Sequence, residues 1–314
     1  MGEPRAATAD GLDLPAAPPR SRRSARARVL GLAVMDLANP FFADVLHAMA
    51  DAAADAGYAV RMGDSGGDVE HEAAHLRTFE QQRLHGVLLA PIGEIPEQVG
   101  RLRSRGIPVV LVDRASDDPG SCSVAVDDVE GGRLAVAHLT DQGHRRIAFV
   151  GGPGSLHQVR DRLLGAKLAS AGYGDQLRLR TVLTTVLDVA AGRKAAAGLV
   201  ALPPQERPTA VFAANDLLAI GLLQGLVGAG LRVPEDIALV GYDDVNLAAA
   251  AAVPLSSVRQ PRAQLGRRAT ELLLAEMVDA ARGVPHRHQQ VRFVPELVVR
   301  ASSTTETGGA GPGR

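Results

Sequence analysis

The sequence has no tryptophan, a single cysteine (Cys122) and only 3% aromatic residues. One thiol excludes a disulfide framework and points to a reducing compartment. With six Phe and three Tyr in 314 residues, any ligand pocket has few rings to stack on its ligand. Long apolar runs are also missing. The first, Val29–Val34, falls far short of the roughly 18–20 residues that span a bilayer, and no apolar signal core precedes it. A cytoplasmic protein without a membrane partner is expected. Net charge is nearly absent too: 34 Lys+Arg stand against 35 Asp+Glu, which disfavours a polyanion-binding surface over the whole molecule.

That neutrality hides an asymmetry. Residues 1–28 hold six Arg against Glu3, Asp10 and Asp13, a net of +3, and the remainder carries a net of −4. Residues 1–27 contain Pro4, Pro15, Pro18 and Pro19 and no helical period, so they read as a disordered basic arm. Residues 303–314 lie in a Ser/Thr/Gly-rich segment that starts near Ala301 and read as a disordered tail.

Between the two tails, apolar runs alternate with amphipathic stretches. Strands are expected at Val29–Met35, Tyr58–Met62, Gly86–Ala90, Ile107–Val112, Ile147–Val150, Ala210–Ala213 and Ile237–Val240. Helical spacing occupies Val69–Gln82, Ile95–Ser104, Val129–Gln142, Gln158–Ser170, Val189–Ala201 and Leu217–Ala229, and also recurs after Phe42. Continuous apolar strands alternating with helices imply an α/β protein whose parallel sheets are covered on both faces.

Ligands of such sheets bind beyond the carboxyl ends of the strands. The residues there include Asp36 to Phe42, Asp113-Arg114, Gly151 to Ser155, Ala214-Asn215-Asp216 and Gly241-Tyr242-Asp243-Asp244. They combine carboxylates, amides and an arginine with a few rings. Recognition of a polyol needs this mixture, since planar bidentate groups engage hydroxyls while an apolar face covers the ring.

Six segments in order resemble the effector-binding core of the LacI/GalR family of transcriptional regulators. They are Gly31 to Val34 with Asn39-Pro40-Phe41-Phe42, Gly143 to Gly152, Arg162-Leu163-Leu164-Gly165, Ala214-Asn215-Asp216 with Ala219 and Gly221, Val233 to Ile237 with Val240 to Asp244, and Ser256 to Pro261 with Leu265-Gly266. The resemblance runs from about Arg28 to Ser302. It implies a two-lobed periplasmic-binding-protein-like fold, with parallel sheets flanked by helices and three interlobe crossings near Val126–Asp128, Val258–Gln260 and Gln290–Arg292. The N-terminal lobe would comprise 28–126 plus 261–289, and the C-terminal lobe 127–260 plus 290–302.

By the same resemblance, Phe41 and Phe42 wall the cleft and Asp113 and Arg114 sit at its N-lobe rim. Asp127 lies at the first crossing, Arg162 reaches in from its helix, Asn215 and Asp243 come from the C-lobe, and Gln260 sits at the second crossing. The implied function is that of an effector-sensing regulator, not an enzyme, that binds a small sugar or related metabolite as a homodimer; a stand-alone or transport-associated sugar-binding protein of the same fold is the alternative. Asp216 reads instead as a helix cap, Asp244 as a residue paired with backbone, and Asn39-Pro40 as a turn terminator. The family's DNA-reading headpiece is a helical bundle, which the 27 residues before Arg28 do not supply. DNA contact is therefore expected only through a headpiece encoded upstream of the assigned start or supplied by a partner.

Other constellations carry less. His71-Glu72-Ala73-Ala74-His75 matches the H-E-x-x-H zinc pattern, but Val69, Ala73, Leu76 and Phe79 give that helix an ordinary buried stripe. No P-loop lysine follows Gly151 to Ser155, and no G-x-G-x-x-G follows the first strand. Cys122 reads as a structural thiol, and His286 and His288, flanking Arg287, receive no role. No metal or cofactor is expected.

Overall fold

In a computed structural model of the chain, the described residues are 28–304. The expected arm over 1–27 and the tail over 305–314 lie outside them. The chain first builds β1 (Val29–Val34), α1 (Pro40–Asp55), β2 (Ala59–Asp64), α2 (Val69–Gln81), β3 (Gly86–Leu89), α3 (Glu97–Ser104), β4 (Val109–Val112) and β5 (Ser123–Val126). It continues through α4 (Asp128–Asp141), β6 (Arg146–Gly151), α5 (His157–Ala171), β7 (Arg178–Leu183), α6 (Val189–Val200), β8 (Ala210–Ala213), α7 (Asp216–Gly228), β9 (Ala238–Asp243), α8 (Asn246–Ala249) and β10 (Ser256–Arg259). It closes with α9 (Arg262–Arg282), β11 (Gln290–Phe293) and β12 (Glu296–Val298).

Two six-stranded sheets result, ordered β11-β5-β4-β3-β1-β2 and β12-β10-β9-β8-β6-β7. Every pairing is parallel except that of β10 with β12. The first sheet shows why its strands read as unbroken apolar runs. Leu30, Leu32 and Val34 of β1 join the large core, and Ala33 joins a second cluster with Leu76, Phe79 and Leu102 on the opposite face. Both faces are covered, so alternation by polarity disappears. Helix α9 packs on α1 and across β3, β4 and β5. Among the described residues, no helix is long and apolar enough to cross a membrane.

Several expectations need correction. Gln290–Phe293 pairs with Ser123–Val126 in the first sheet, so the third crossing falls between Phe293 and Glu296, not at Gln290–Arg292. Residues 290–293 accordingly lie with the first sheet. Strand β9 runs on to Asp243, so Gly241 and Tyr242 are buried strand residues and not a turn. In α2 the buried positions are Glu72, Leu76 and Phe79, while Val69 is 58% exposed. Ala301–Ser303 forms a 3-10 turn with Ser302 and Ser303 buried, so a structureless segment does not begin at 301 or 303.

Candidate functional site

The site is built around the end of β9. Asp243 and Asp244 take φ values of 103° and 52°, two successive side-chain-bearing residues in left-handed backbone space. Such a conformation costs about 1–3 kcal/mol per residue and persists only where its surroundings enforce it. Here Arg259 and Arg300 grip the Asp244 carboxylate at 2.7 and 2.6 Å. The Asp244 N–H donates to Ser257 Oγ at 3.0 Å, and that hydroxyl donates to Asp216 at 2.7 Å. Asp216 also accepts from the Val245 N–H at 2.8 Å. Asp216 is therefore a buried brace and not a helix cap, and Asp244 pairs with arginines more than with backbone. The cap of α7 is Asn215, whose side chain accepts from the Leu218 N–H at 2.9 Å and donates to the Leu187 carbonyl at 3.0 Å.

Arg162 enters from α5. That helix lies close to α4 because Gly132 and Gly165 leave room for the facing backbone: a Cβ on Gly132 would strike the Arg162 carbonyl, and one on Gly165 the Val129 carbonyl. The close approach lets Arg162 Nε donate to Asp128 at 2.8 Å and Nη1 donate to the Ala214 carbonyl at 2.7 Å. Its guanidinium lies 3.6 Å from the Tyr242 ring centroid and 3.8 Å from Asp243 Oδ1. Burial opposes the charge on Arg162, but Asp128, Tyr242, Asp243 and Asp113 together raise its pKa above the ordinary arginine value. The cation is therefore kept inside the protein.

Asp243 receives one side chain from the other lobe and one from the second crossing. Asn39 donates from Nδ2 to Asp243 Oδ2 at 3.2 Å, and Gln260 donates from Nε2 to Oδ1 at 2.8 Å. His157 adds a second tie between the lobes, donating from Nε2 to the Asp113 carbonyl at 2.8 Å. Along this boundary, Asp113 Oδ1, His157 Nδ1, Gln158 Oε1 and Gln260 Oε1 are buried without a hydrogen-bond partner among the described residues. A native interior pairs most of its buried polar atoms, so four orphans on one boundary mark a surface built for another polar molecule.

The electrostatics have the same character. Burial, reinforced by Asp128 and Asp243, pushes the Asp113 carboxyl well above its ordinary range. Burial raises Asp243 to about 6 despite the opposing pull of Arg162, Asn39 and Gln260. Burial also holds His157 near 4, hence neutral at physiological pH. Arg162 thus offers a charged fork, and Asp113 and Asp243 offer carboxyl oxygens beside it. The space between Asp113, Asp127, Asp128, His157, Asp161 and Arg292 measures only about 40 Å³. Small-molecule sites generally need about 300 Å³ or more, so admission of a ligand requires the lobes to part.

The expected site residues divide. Arg162, Asp243 and Gln260 meet directly, with Asp113 beside them. Asp127 caps α4 by accepting from the Glu130 N–H at 3.0 Å, and lies 3.9 Å from Arg292. Phe41 and Phe42 pack edge to face, 5.0 Å apart, within the apolar core. Arg114 is half-buried at the boundary. Asp128, His157 and Gln158 are not among the expected site residues, and Asn39 was expected only to end the turn before a helix. Asn39 could have been found as an Asn-Pro helix start, and Asp128 as the second member of an Asp-Asp pair whose first member is spent on the cap.

The H-E-x-x-H segment builds no metal centre. His71 is exposed, His75 Nε2 contacts the Asp64 carbonyl at 3.0 Å, and buried Glu72 accepts from the Ile92 N–H at 3.0 Å.

Residues 136–303 match the family model of a periplasmic binding protein-like domain. The HTH-type transcriptional repressor PurR of Aliivibrio fischeri (strain MJ11) is 31% identical over 290 residues, 92% of this chain and 85% of the repressor. The ribose operon repressor of Escherichia coli (strain K12) is 30% identical over 295 residues, covering 92% and 86% of the two chains. The crystal structure of a LacI family transcriptional regulator from Enterococcus faecalis V583 with bound ribose superimposes with a TM-score of 0.77 at 28% identity, over 88% of this chain and 98% of that one. One from Lactobacillus casei with bound glucose gives 0.75 at 31% identity, over 87% and 99%. The order of the six sequence segments, the two parallel sheets and these similarities agree: the chain belongs to the LacI/GalR family of transcriptional regulators.

Proposed function

We propose that this protein senses a small sugar or a closely related polar metabolite between its lobes, and that closure of the lobes on that ligand regulates transcription. The observation that carries the reading is the interlobe cluster of Asp113, Asp128, Arg162 and Asp243, with four unpaired polar atoms along the same boundary. Sugar hydroxyls both donate and accept, so one such ligand can satisfy carboxyl oxygens and a guanidinium together. A purine base is the weaker match. Phe41 and Phe42 are committed to the core, and one face of Tyr242 is covered by Arg162, so none of these three rings is free to stack on a base. Binding, not catalysis, is the role proposed for the cleft.

The protein would act in the cytoplasm as a homodimer. An outward groove of about 570 Å³ between β7 and α6, lined by Val182, Leu183, Val186 and Leu199 with Arg180, Asp188 and Lys194 at its edge, is the surface proposed for that dimer. A DNA-reading element, outside the described residues or on a partner, would complete the regulator.

A thermal-shift panel of pentoses, hexoses, disaccharides and purine bases tests the cleft, since a ligand at 100 times its Kd stabilises the folded state by about 2.7 kcal/mol. A shift with one sugar is expected. A shift with purine bases alone would overturn the sugar class, and no shift with any compound would overturn the sensing reading.

A further inference from the structure

Far from the cleft contacts, three segments meet at the start of β5. Cys122 immediately precedes that strand and is fully buried. Ser123 pairs with Gln290 in the β5–β11 ladder, which draws the preceding loop over the thiol. Within that loop His286 and His288 are two residues apart. In extended backbone such residues face the same side, and here their rings meet edge to face at 5.0 Å. Glu276 and Asp279 lie three apart on the last turns of α9, so they share one helix face.

The resulting distances are those of a coordination sphere. Cys122 Sγ is 3.4 Å from His286 Nε2 and 3.7 Å from His288 Nδ1. His288 Nδ1 is 4.0 Å from Glu276 Oε2. All four ligand atoms lie within 4.8 Å of one another. Tetrahedral zinc, with bonds of about 2.0–2.3 Å, places its ligand atoms about 3.3–3.8 Å apart, so small side-chain movements would complete the sphere. We propose that Cys122, Glu276, His286 and His288 form a four-ligand zinc site that joins β5, β11 and α9.

The surroundings fit that assignment. His286 Nδ1 donates to Asp279 Oδ2 at 2.8 Å, which fixes the tautomer and turns the Nε2 lone pair toward the cysteine. A carboxylate that orients a ligating imidazole is a recurrent outer partner of bound metal. The Gln289 N–H donates to Cys122 Sγ at 3.4 Å and holds the sulfur in place. Glu276 Oε2 is buried and has no hydrogen-bond partner among the described residues. Zinc would neutralise one thiolate and one carboxylate, and binding would release the thiol proton to solvent. Thiolate, imidazole and carboxylate in a tetrahedral set favour zinc over the harder cations. With four protein ligands there is no open position for substrate, so the role is structural. Among the described residues, this is the one group of His, Cys, Asp and Glu placed to hold an ion; the H-E-x-x-H segment is not.

The location gives the site a consequence. Strands β5 and β11 each run directly into an interlobe crossing, and Arg292 of β11 reaches Asp127 beside the cleft. Fastening their starts stiffens the supports on which the lobes turn.

The test uses the full chain without an affinity tag. After chelator treatment, zinc is added back and its stoichiometry is measured by mass spectrometry. Separately, cobalt(II) is titrated and followed by absorbance. One metal per chain is expected, with a thiolate-to-cobalt charge-transfer band and the strong visible bands of tetrahedral cobalt. Cys122→Ser should abolish the charge-transfer band. Asp279→Asn, which touches no proposed ligand atom and keeps the fold, should weaken zinc binding by about 10–100-fold. His71→Ala should change nothing. Substoichiometric zinc with no cobalt bands in the intact chain would overturn the site, as would bands that survive Cys122→Ser or disappear with His71→Ala.

Discussion

Asn39 and Asp243 are 204 residues apart in sequence and touch across the two lobes, amide to carboxylate at 3.2 Å. The same Asn39 side chain accepts from the Phe41 N–H at 3.0 Å and so starts helix α1. One residue therefore sets the angle of a helix with one atom and closes the cleft with another. Asp243, in turn, is where the first lobe, the second crossing and the Arg162 cation converge.

Replacing Asn39 by Asp separates those duties. Aspartate is as good an N-cap as asparagine, so α1 should be unharmed. The new carboxylate would face Asp243, and like charges at such a distance resist closure. The Asn39→Asp variant is expected to keep its thermal stability within about 1 kcal/mol, scatter as a more open particle and bind its ligand about tenfold or more weakly at pH 7.5. Affinity should partly recover near pH 5, because Asp243 takes up a proton at about 6. Small-angle scattering and calorimetry at the two pH values check this, and an unchanged radius with unchanged affinity would refute it.

Arg162 is the counter-charge of a buried cluster. Arg162→Met removes the cation and strands Asp128 in the interior, a loss of about 3–5 kcal/mol. The double variant Arg162→Met with Asp128→Asn should recover much of that loss, since an unpaired neutral amide costs far less to bury than an unpaired carboxylate. Urea denaturation of the two single variants and the double gives the coupling directly. Additive losses would show that the pair is not an energetic unit.

Gly165 has no side chain because the Val129 carbonyl occupies the space where one would lie. Gly165→Ala should push α5 away from α4 and lower stability by about 1–3 kcal/mol, as overpacking does. It should also weaken ligand binding through Arg162. Paired measurement of melting temperature and Kd tests both, and a fully stable, fully binding variant would show that the helices can part without moving the site.

The legibility of the chain divides along physical lines. Strands buried on both faces, such as β1, β3, β4 and β8, are unbroken apolar runs and were readable. Strand β7 was not, because it lies at a sheet edge with Arg178 and Arg180 exposed, and β11 and β12 were not, because their half-exposed patterns carry no apolar run. At the site, nearness to a strand's carboxyl end located Asp113 and Asp243. It could not separate Asp127, which caps a helix, from its neighbour Asp128, which holds Arg162. Nor could it show that Asn215 spends both ends of its amide on backbone groups. Those choices depend on long-range packing such as the Gly132–Gly165 approach. Metal spacing read along one helix likewise pointed to His71 and His75, whereas Cys122 and His286 meet only through the β5–β11 pairing.

If the apolar groove beside β7 is the dimer surface, a charge there should split the dimer. Leu183, 52% exposed, lies at the end of β7 and lines that groove. Leu183→Glu is expected to halve the molar mass measured by light scattering while leaving the monomer's ligand-induced thermal shift intact. An unchanged dimeric mass would place the interface elsewhere.

Glu72 predicts the shape of a pH profile. Burial raises its carboxyl from the ordinary 4.5 to about 7, against the pull of the Ile92 N–H. Between those values the folded state keeps a proton that the unfolded chain has released, so stability falls as pH rises. The favourable contribution is complete below about pH 4.5 and is lost as pH passes through about 7. Glu72→Gln keeps an oxygen for the Ile92 N–H and has no charge to bury. The variant should therefore exceed the parent in stability by about 2–3 kcal/mol at pH 8, with the difference closing as pH falls toward 4. His157, held near 4, acts in the opposite sense, since its neutral folded form loses stability as pH falls below about 6.5. That contribution is present in both proteins and cancels in the difference. Denaturation curves for parent and variant between pH 4 and pH 8 measure the effect, and a constant gap across that range would show that Glu72 does not carry the buried proton.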